Sequence, residues 1–265
     1  MQWQCRIAPS LGSFKYHPNE VWGTIEYVSD IAPAVFFGLY GLPDFYALWR
    51  HKGPKAILWA GSDITHFLKG YWLDDGGEIK LSPFGLAKWI QENCISYVEN
   101  SIEAEALSSV GITSSIVPSF LDDPKAYKVQ KIVRKKYYTS VSGDNFELYG
   151  WHEIGDWAEM YPDVEFHLYG NEAGYLITAD NVFIHGRIPQ EQMDEEIRKM
   201  TGAIRLTRMD GFSEILAKSI LWGQWPVSPY IRYPFIDKTI KDRTGNNHEG
   251  RDYYLKVLNQ HPWTK

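Results

Sequence analysis

The sequence contains little cysteine and no long hydrophobic run. Its 265 residues include two cysteines, Cys5 and Cys94, which belong to no CxxC or Cys/His spacing that indicates zinc. We therefore expect free thiols in a reducing compartment. No apolar run reaches about 18 residues, and the N-terminal MQWQCRIAPS lacks the basic and apolar regions of a secretory signal. The sequence predicts a cytoplasmic protein without a transmembrane helix, and it leaves peripheral membrane contact open.

An excess of positive charge is also lacking. The formal net charge is −6. Proteins that bind duplex DNA usually present a basic surface, so this charge argues against nucleic acid as a partner. Aromatic residues are abundant, at 15% with 11 Trp. Most such rings pack in cores, and stacking against sugar rings is the alternative use.

The order of strand-like and helix-like segments predicts an α/β protein. Apolar runs such as AVFFGL at 34–39 and KAILWA at 55–60 are typical of buried parallel strands, and helical patterns follow them. The alternation restarts after residue 121. We predict two Rossmann-like lobes, residues 1–121 and 122–265, each with a parallel sheet flanked by helices. Ligands of such sheets bind beyond the carboxyl ends of the strands, so functional residues are expected there.

The segment RLTRMDGFSEILAKSILWGQWPV at 205–227 carries the strongest functional signal. A predicted strand leads to a turn at Asp210 and Gly211, and a helix begins directly afterwards. The first amide groups of a helix and the positive end of its dipole attract anions such as a diphosphate. Arg208 is placed to add positive charge. Because Asp-Gly is also common turn chemistry, a purely structural Asp210 is the alternative.

This segment resembles the donor-binding signature of the retaining family 4 glycosyltransferases, which have the GT-B fold. The matching residues are Asp210, Gly211, Phe212 and Ser213 at its beginning and Gly223, Pro226 and Val227 at its end. The resemblance implies that Asp210 lies against the donor sugar. The signature has a second acid, eight positions after the first, that holds the ribose. Lys218 stands there instead, and Glu214, one turn earlier, is the candidate replacement.

Two further stretches of the second lobe share this resemblance. YPDVEFHLYG at 161–170 and VFIHGRIPQEQM at 182–193 are similar to the strands around the nucleotide, which places Gly170 at a strand end and Arg187 beside the base or diphosphate. The basic pair that usually clamps the diphosphate is missing from the stretch SVSGDNFE. Backbone amides near Ser142 and Gly143 are expected to replace it.

The first lobe carries a weaker pattern. LWAGSDI at 58–64 resembles a strand and turn on the acceptor side, which implies that Asp63 orients the acceptor or contacts the donor sugar. A helix N-cap is the alternative for Asp63. His66 lies one turn further on and is either catalytic or an ordinary surface histidine. VENS at 98–101 resembles the start of the last strand–helix unit of this lobe. The lobe itself is short and is predicted to lack a leading strand–helix unit.

The resemblance implies a hexosyltransferase that uses a nucleoside-diphosphate sugar and retains the anomeric configuration. The acceptor is a hydroxyl group of a glycan, a lipid-linked glycan or a small molecule. The donor is assigned to the second lobe and the acceptor to the first. No cofactor or metal is expected, since fixed hydrogen-bond donors can stabilise the leaving diphosphate, and Asp74-Asp75 and Asp122-Asp123 are interpreted as turns.

The predicted site residues fall into two groups. The predicted catalytic residues are Asp210, Asp63 and His66. The predicted donor-binding residues are Gly211, Phe212, Ser213, Glu214, Lys218, Arg208, Arg187, Ser142, Gly143 and Gly170. Two alternatives stay open. One is an inactive or weakly active protein that binds a nucleotide sugar or glycan, which Lys218 and the missing clamp favour. The other is a phage-type enzyme that glucosylates DNA bases, against which the acidic charge speaks.

Overall fold

The computed structural model describes residues 2–14, 17–70, 82–141, 146–170, 177–208 and 210–264. Ser142, Gly143 and the Asp74-Asp75 pair lie outside these residues, so their roles stay predictions. The chain forms two compact units. The first comprises Met1–Asp123, Met209–Phe212 and Val257–Lys265, and the second comprises Pro124–Arg208 and Ser213–Lys256.

The first unit is built on a parallel sheet. Its strands are β1 (Gln4–Ile7), β2 (Ile25–Glu26), β3 (Ala34–Phe37), β4 (Lys55–Leu58), β5 (Ile95–Val98) and β6 (Ser114–Ile116). Its helices are α1 (His17–Trp22), α2 (Leu42–Arg50), α3 (Ser62–Leu68), α4 (Pro83–Asn93) and α5 (Ser101–Ser108), with a 3-10 helix at Pro9–Phe14. The strand order is β2-β1-β3-β4-β5-β6, and every described pairing is parallel.

A leading strand is present, so the prediction that the first lobe lacks one is wrong. β1 pairs with both β2 and β3 inside the sheet. Its sequence, QCRI, mixes polar and apolar residues and gives no strand signal. Gln4 is nevertheless buried, because its side-chain oxygen accepts from the amides of Val28 at 2.7 Å and Ser29 at 2.8 Å. These bonds compensate for the polar group that the strand buries.

Strand residues of the first unit alternate between two apolar layers. Phe36 and Ile57 belong to the cluster that α2, α3, α4 and α5 cover. Val35 and Leu58 face the other layer, where Trp263 from the C-terminal segment packs. This packing explains why the last residues belong to the first unit, although the sequence analysis assigned them to the second lobe. Apolar side chains on both faces are what a fully covered parallel sheet requires.

The second unit has a smaller parallel sheet. Its strands are β7 (Lys136–Ser140), β8 (Glu165–Tyr169), β9 (Val182–Gly186) and β10 (Gly202–Ala203), in the order β10-β7-β8-β9. Its helices are α6 (Trp151–Met160), α7 (Gln190–Ile197), α8 (Glu214–Leu221) and α9 (His248–Val257), with a 3-10 helix at Pro124–Ala126. Val227 forms isolated bridges with Ile204 and Asp237.

Both units therefore have the predicted Rossmann-like construction, with parallel sheets flanked by helices. Among the described helices, none is both long and apolar enough to cross a membrane.

Candidate functional site

The turn of Asp210, Gly211 and Phe212, here called the Asp210 turn, belongs to the first unit. The Phe212 amide donates to Glu99 Oε2 at 2.6 Å, and Asn100 Nδ2 donates to the Asp210 carbonyl at 2.8 Å. Glu99 and Asn100 directly follow β5, which lies between β4 and β6. Two neighbouring side chains at the carboxyl end of an inner strand thus fix the backbone of the turn.

Two glycines allow the Asp210 turn to lie close to Glu99 and to the chain at Gly61. A Cβ atom on Gly211 would overlap Glu99 Oε2. Gly61 has φ +82°, and a Cβ there would lie 2.9 Å from the Gly211 nitrogen. Glycine is the residue that accepts both the positive φ and the lack of space. The sequence analysis predicted Gly211 and Phe212 as donor-binding residues. In the structure, the Phe212 amide donates to a carboxyl oxygen of the protein.

Glu103 binds the backbone of Glu99, which in turn contacts the Asp210 turn. It is fully buried on α5, and its Oε2 accepts from the Glu99 amide at 2.8 Å. Its Oε1 has no hydrogen-bond partner among the residues that the structure describes. Burial raises the pKa of Glu103 well above its usual range, and the neighbouring Glu99 carboxylate raises it further. Both effects favour the protonated form of Glu103.

Glu99 is the second acid of this pair. Burial raises the pKa of Glu99 to about 8, against hydrogen bonds from the Phe212 and Ser119 amides that lower it. The Asp210 carboxylate raises it in addition. A carboxyl group that stays largely neutral at pH 7 limits the negative charge beside Asp210.

Asp63 has a structural task in the same unit. It is fully buried, and its Oδ2 accepts from Leu39 N at 2.8 Å. Its Oδ1 accepts from Ala60 N at 3.0 Å and from Ile64 N at 2.9 Å. These bonds tie together the chain beyond β3 and β4 at the start of α3. The N-cap residue itself is Gly61. Since both oxygens are occupied, the geometry favours a structural acceptor over a contact with substrate.

Burial also perturbs the ionisation of Asp63. Its pKa rises to about 6, because desolvation outweighs the amide hydrogen bonds that lower it. His66, the other predicted catalytic residue of this lobe, is exposed and lies with its ring 6.1 Å from the Tyr40 ring. Its catalytic role stays a prediction.

Lys218 lies in the second unit and is 6% exposed, so it is not an ordinary exposed helix lysine. Its Nζ is 3.4 Å from Asp194 Oδ2 and 3.7 Å from Glu214 Oε1. Glu214 begins α8 and is exposed. Ser213, at the N-cap, is buried and provides no side-chain cap. The first amides of a helix have no partner within it.

The remaining predicted donor-binding residues follow other strands of the second unit. Arg208 is largely exposed, 3.6 Å from Glu153 Oε1, with its guanidinium 4.7 Å from the centre of the Tyr230 ring. Arg187 follows β9, is exposed, and forms no hydrogen bond or ion pair with the residues that the structure describes. Gly170 follows β8 with φ +154°, where a Cβ would overlap Val141 Cγ1.

The sequence analysis gave no role to Glu99, Asn100 and Glu103. Asn100 caps α5 by accepting from the Glu103 amide at 3.0 Å, and the spacing N-x-x-E is a signal for such a helix start. The contacts with the Asp210 turn join residues about 110 positions apart, as for Asn100 and Asp210. No spacing in one sequence reveals a pairing over that distance.

No protein-family model and no curated protein sequence matches the chain. Solved structures match it in fold. TarM is 15% identical, with 87% of this chain and 48% of TarM covered and a TM-score of 0.50. A TarM mutant from S. aureus, in complex with fondaparinux, alpha-GlcNAc-glycerol and UDP, is 14% identical, with 87% and 49% covered and a TM-score of 0.53.

Sucrose-phosphate synthase from Thermosynechococcus elongatus is 10% identical, with 74% of this chain and 55% of that chain covered and a TM-score of 0.51. The chain thus spans about half the length of the solved chains that it resembles. At these identities the likeness concerns the fold alone. It confirms the predicted GT-B fold of two Rossmann-like units.

Proposed function

We propose that this chain is a glycosyltransferase that moves a sugar from a nucleoside-diphosphate sugar to a hydroxyl acceptor. The observation that carries the proposal is the fixed Asp210 turn, which precedes α8 by a few residues in a chain with the GT-B fold. This is the segment whose sequence resembles a donor-binding signature. The GT-B fold is consistent with such an activity, but the activity itself has to be argued from the residues of the site.

The donor diphosphate is assigned to the first turn of α8 and to Arg187. The helix has eight residues and no side-chain cap among the described residues, and its dipole and first-turn amides attract negative charge. Arg187 adds a cation that no described residue neutralises. Developing charge on the leaving diphosphate is then met by donors that are already oriented. UDP is the first nucleotide to test, because the TarM mutant structure contains it.

The ribose is assigned to Glu214. The signature acid is replaced by Lys218, whose ammonium group lies 3.7 Å from Glu214 Oε1. This ion pair orients an exposed carboxylate in the first turn of α8, where it is able to accept hydrogen bonds from sugar hydroxyls. Asp210 is assigned to the transferred sugar, and we propose that the transfer retains the anomeric configuration.

A second candidate function is binding of a nucleotide sugar or glycan without turnover. The buried ion pair of Lys218 with Asp194 favours it, since this pair occupies the place of the signature acid. We prefer an active enzyme to a binding protein because the signature acid Asp210 is present and its backbone is held in place.

Incubation with a panel of labelled nucleotide sugars tests the proposal. We expect the chain to release nucleoside diphosphate from one donor, by transfer or slow hydrolysis, and we expect Asp210→Ala to remove this activity without loss of fold. Asp252→Ala serves as the control, since Asp252 is an exposed aspartate of α9. Binding of a donor without turnover would support the second candidate. Full activity of Asp210→Ala would refute the role of Asp210.

A further inference from the structure

We infer that Glu99 and Asn100 are positioning residues that hold Asp210 in the orientation that sugar transfer requires. The inference rests on the proposed function and adds to it two residues of the first unit, which the donor-binding signature does not contain. Neither residue is expected to touch the substrate. Each acts on the backbone of the Asp210 turn.

The two hydrogen bonds fix the turn on both sides of Gly211. Asn100 Nδ2 holds the Asp210 carbonyl at 2.8 Å, and Glu99 Oε2 holds the Phe212 amide at 2.6 Å. Asn100 is 2% exposed, and its Oδ1 accepts from the Glu103 amide. The acceptance at Oδ1 leaves Nδ2 as the atom that faces Asp210. The side chain is therefore fixed by α5 before it contacts the turn.

The glycines make the arrangement specific. Because a Cβ on Gly211 would overlap Glu99 Oε2, the carboxyl group occupies the space directly beside the turn. Gly61 also lies close to the turn, since a Cβ there would lie 3.5 Å from Asp210 Cα. Backbone flanked this closely has little freedom to rotate, so the direction of the Asp210 side chain is restricted. Preorganisation of this kind raises rate rather than affinity.

The charges around Glu99 set the pH range in which this support works. Asp210 approaches from the turn, Glu103 from α5, and Asp63 from α3 lies near Glu103. His261 lies beyond Ser119, whose hydroxyl is 3.4 Å from its Nε2, and burial lowers the pKa of His261 to about 3, so that it stays neutral. Ionisation of Glu99 would place a second negative charge beside Asp210.

The test compares Glu99→Ala, Glu99→Gln and Asn100→Ala with the wild type. We expect Glu99→Ala and Asn100→Ala to lower kcat at least tenfold while the Kd for UDP changes less than about twofold. Glu99→Gln retains an oxygen acceptor for the Phe212 amide, although its nitrogen replaces the oxygen that accepts from the Ser119 amide at 3.2 Å. Because the bond to the turn is kept, this variant should restore most of the lost kcat. Glu105→Ala, an exposed glutamate of α5, is the matched control.

Two readouts separate positioning from mere stability. The wild-type kcat should fall above about pH 8, where Glu99 ionises, and Glu99→Gln should lose this decline. Hydrogen exchange at the Phe212 amide should be faster in Glu99→Ala than in Glu105→Ala. Turnover by Glu99→Ala at the wild-type rate, despite faster exchange at Phe212, would overturn the inference and leave the proposed function intact. Absence of turnover by the wild type with every donor would refute the proposed function, and the inference with it.

Discussion

The two units use charged residues at their strand ends in opposite ways. In the first unit, Asp63 and Glu103 are fully buried and accept hydrogen bonds from backbone amides. In the second, Arg187 and Arg208 are exposed, and Lys218 is paired with Asp194. The buried acids fix loops and turns, whereas Arg187 is exposed and has no ion-pair partner among the described residues. The contrast separates the residues that build the site from those that would bind a donor.

Burial makes the acids of the first unit sensitive to pH. A carboxyl group whose pKa is raised in the folded state stabilises that state while it is protonated, and the advantage disappears as pH rises through the folded pKa. The cations of the second unit, in contrast, lie mostly at the surface, where solvent and salt weaken their interactions. Substitutions in the two units should therefore affect different properties.

The largest effect is expected for Asp63→Ala. The change leaves the amides of Leu39, Ala60 and Ile64 without their acceptor in a dry environment. We expect the free energy of unfolding to fall by about 2–4 kcal/mol, measured by urea denaturation. Asp30→Ala, at an exposed aspartate of the same unit, should cost less than about 0.5 kcal/mol. Equal losses in the two variants would contradict the structural role of Asp63.

A smaller, pH-dependent effect is expected for Glu103→Gln. The Glu103 pKa is raised above its ordinary value of 4.5, so the folded state binds more protons than the unfolded state above pH 4.5. Stability of the wild type should decline more steeply than that of Glu103→Gln as pH rises from there. Thermal unfolding over this range measures the difference. Parallel pH profiles would show that Glu103 does not hold the extra proton, and Glu105→Gln controls for the lost surface charge.

The smallest effect on folding, and the clearest on ligand, is expected for Arg187→Ala. Removal of one charge-assisted contact should weaken UDP binding about three- to tenfold, with no change in thermal stability because Arg187 is exposed. Raising the salt concentration should reduce the difference in UDP affinity between the variant and the wild type, because salt screens the charge of Arg187. Arg232→Ala removes another exposed arginine of the second unit and should bind UDP normally. Identical weakening in both variants would indicate a general charge effect.

Periodicity predicted most of the elements that form the two sheets. Runs such as AVFFGL and KAILWA are apolar enough to mark buried strands, which the structure places at β3 and β4. β1 was not predicted because Gln4 and Arg6 interrupt its apolar pattern. Hydrogen bonds from the distant amides of Val28 and Ser29 compensate for burying Gln4. These bonds cannot be predicted from the sequence around Gln4.

The candidate site was predictable only in part. The turn chemistry of Asp-Gly and the helix after it follow from local rules, and the structure has both. The burial of Lys218 and the support of Asp210 by Glu99 and Asn100 depend on segments far apart in the chain. The Glu99 carboxyl group also accepts the Phe212 amide hydrogen bond at the turn where a ligand anion was expected. Because Glu99 and Phe212 are 113 positions apart, local sequence patterns do not reveal this contact.

A crystal soaked separately with uridine and guanosine diphosphates tests the central claim most directly. The account predicts that one nucleotide binds with its diphosphate on the first-turn amides of α8 and near Arg187, and with its ribose against Glu214. A nucleotide bound away from α8, or none bound at millimolar concentration, would contradict the assignment of this segment as the donor site.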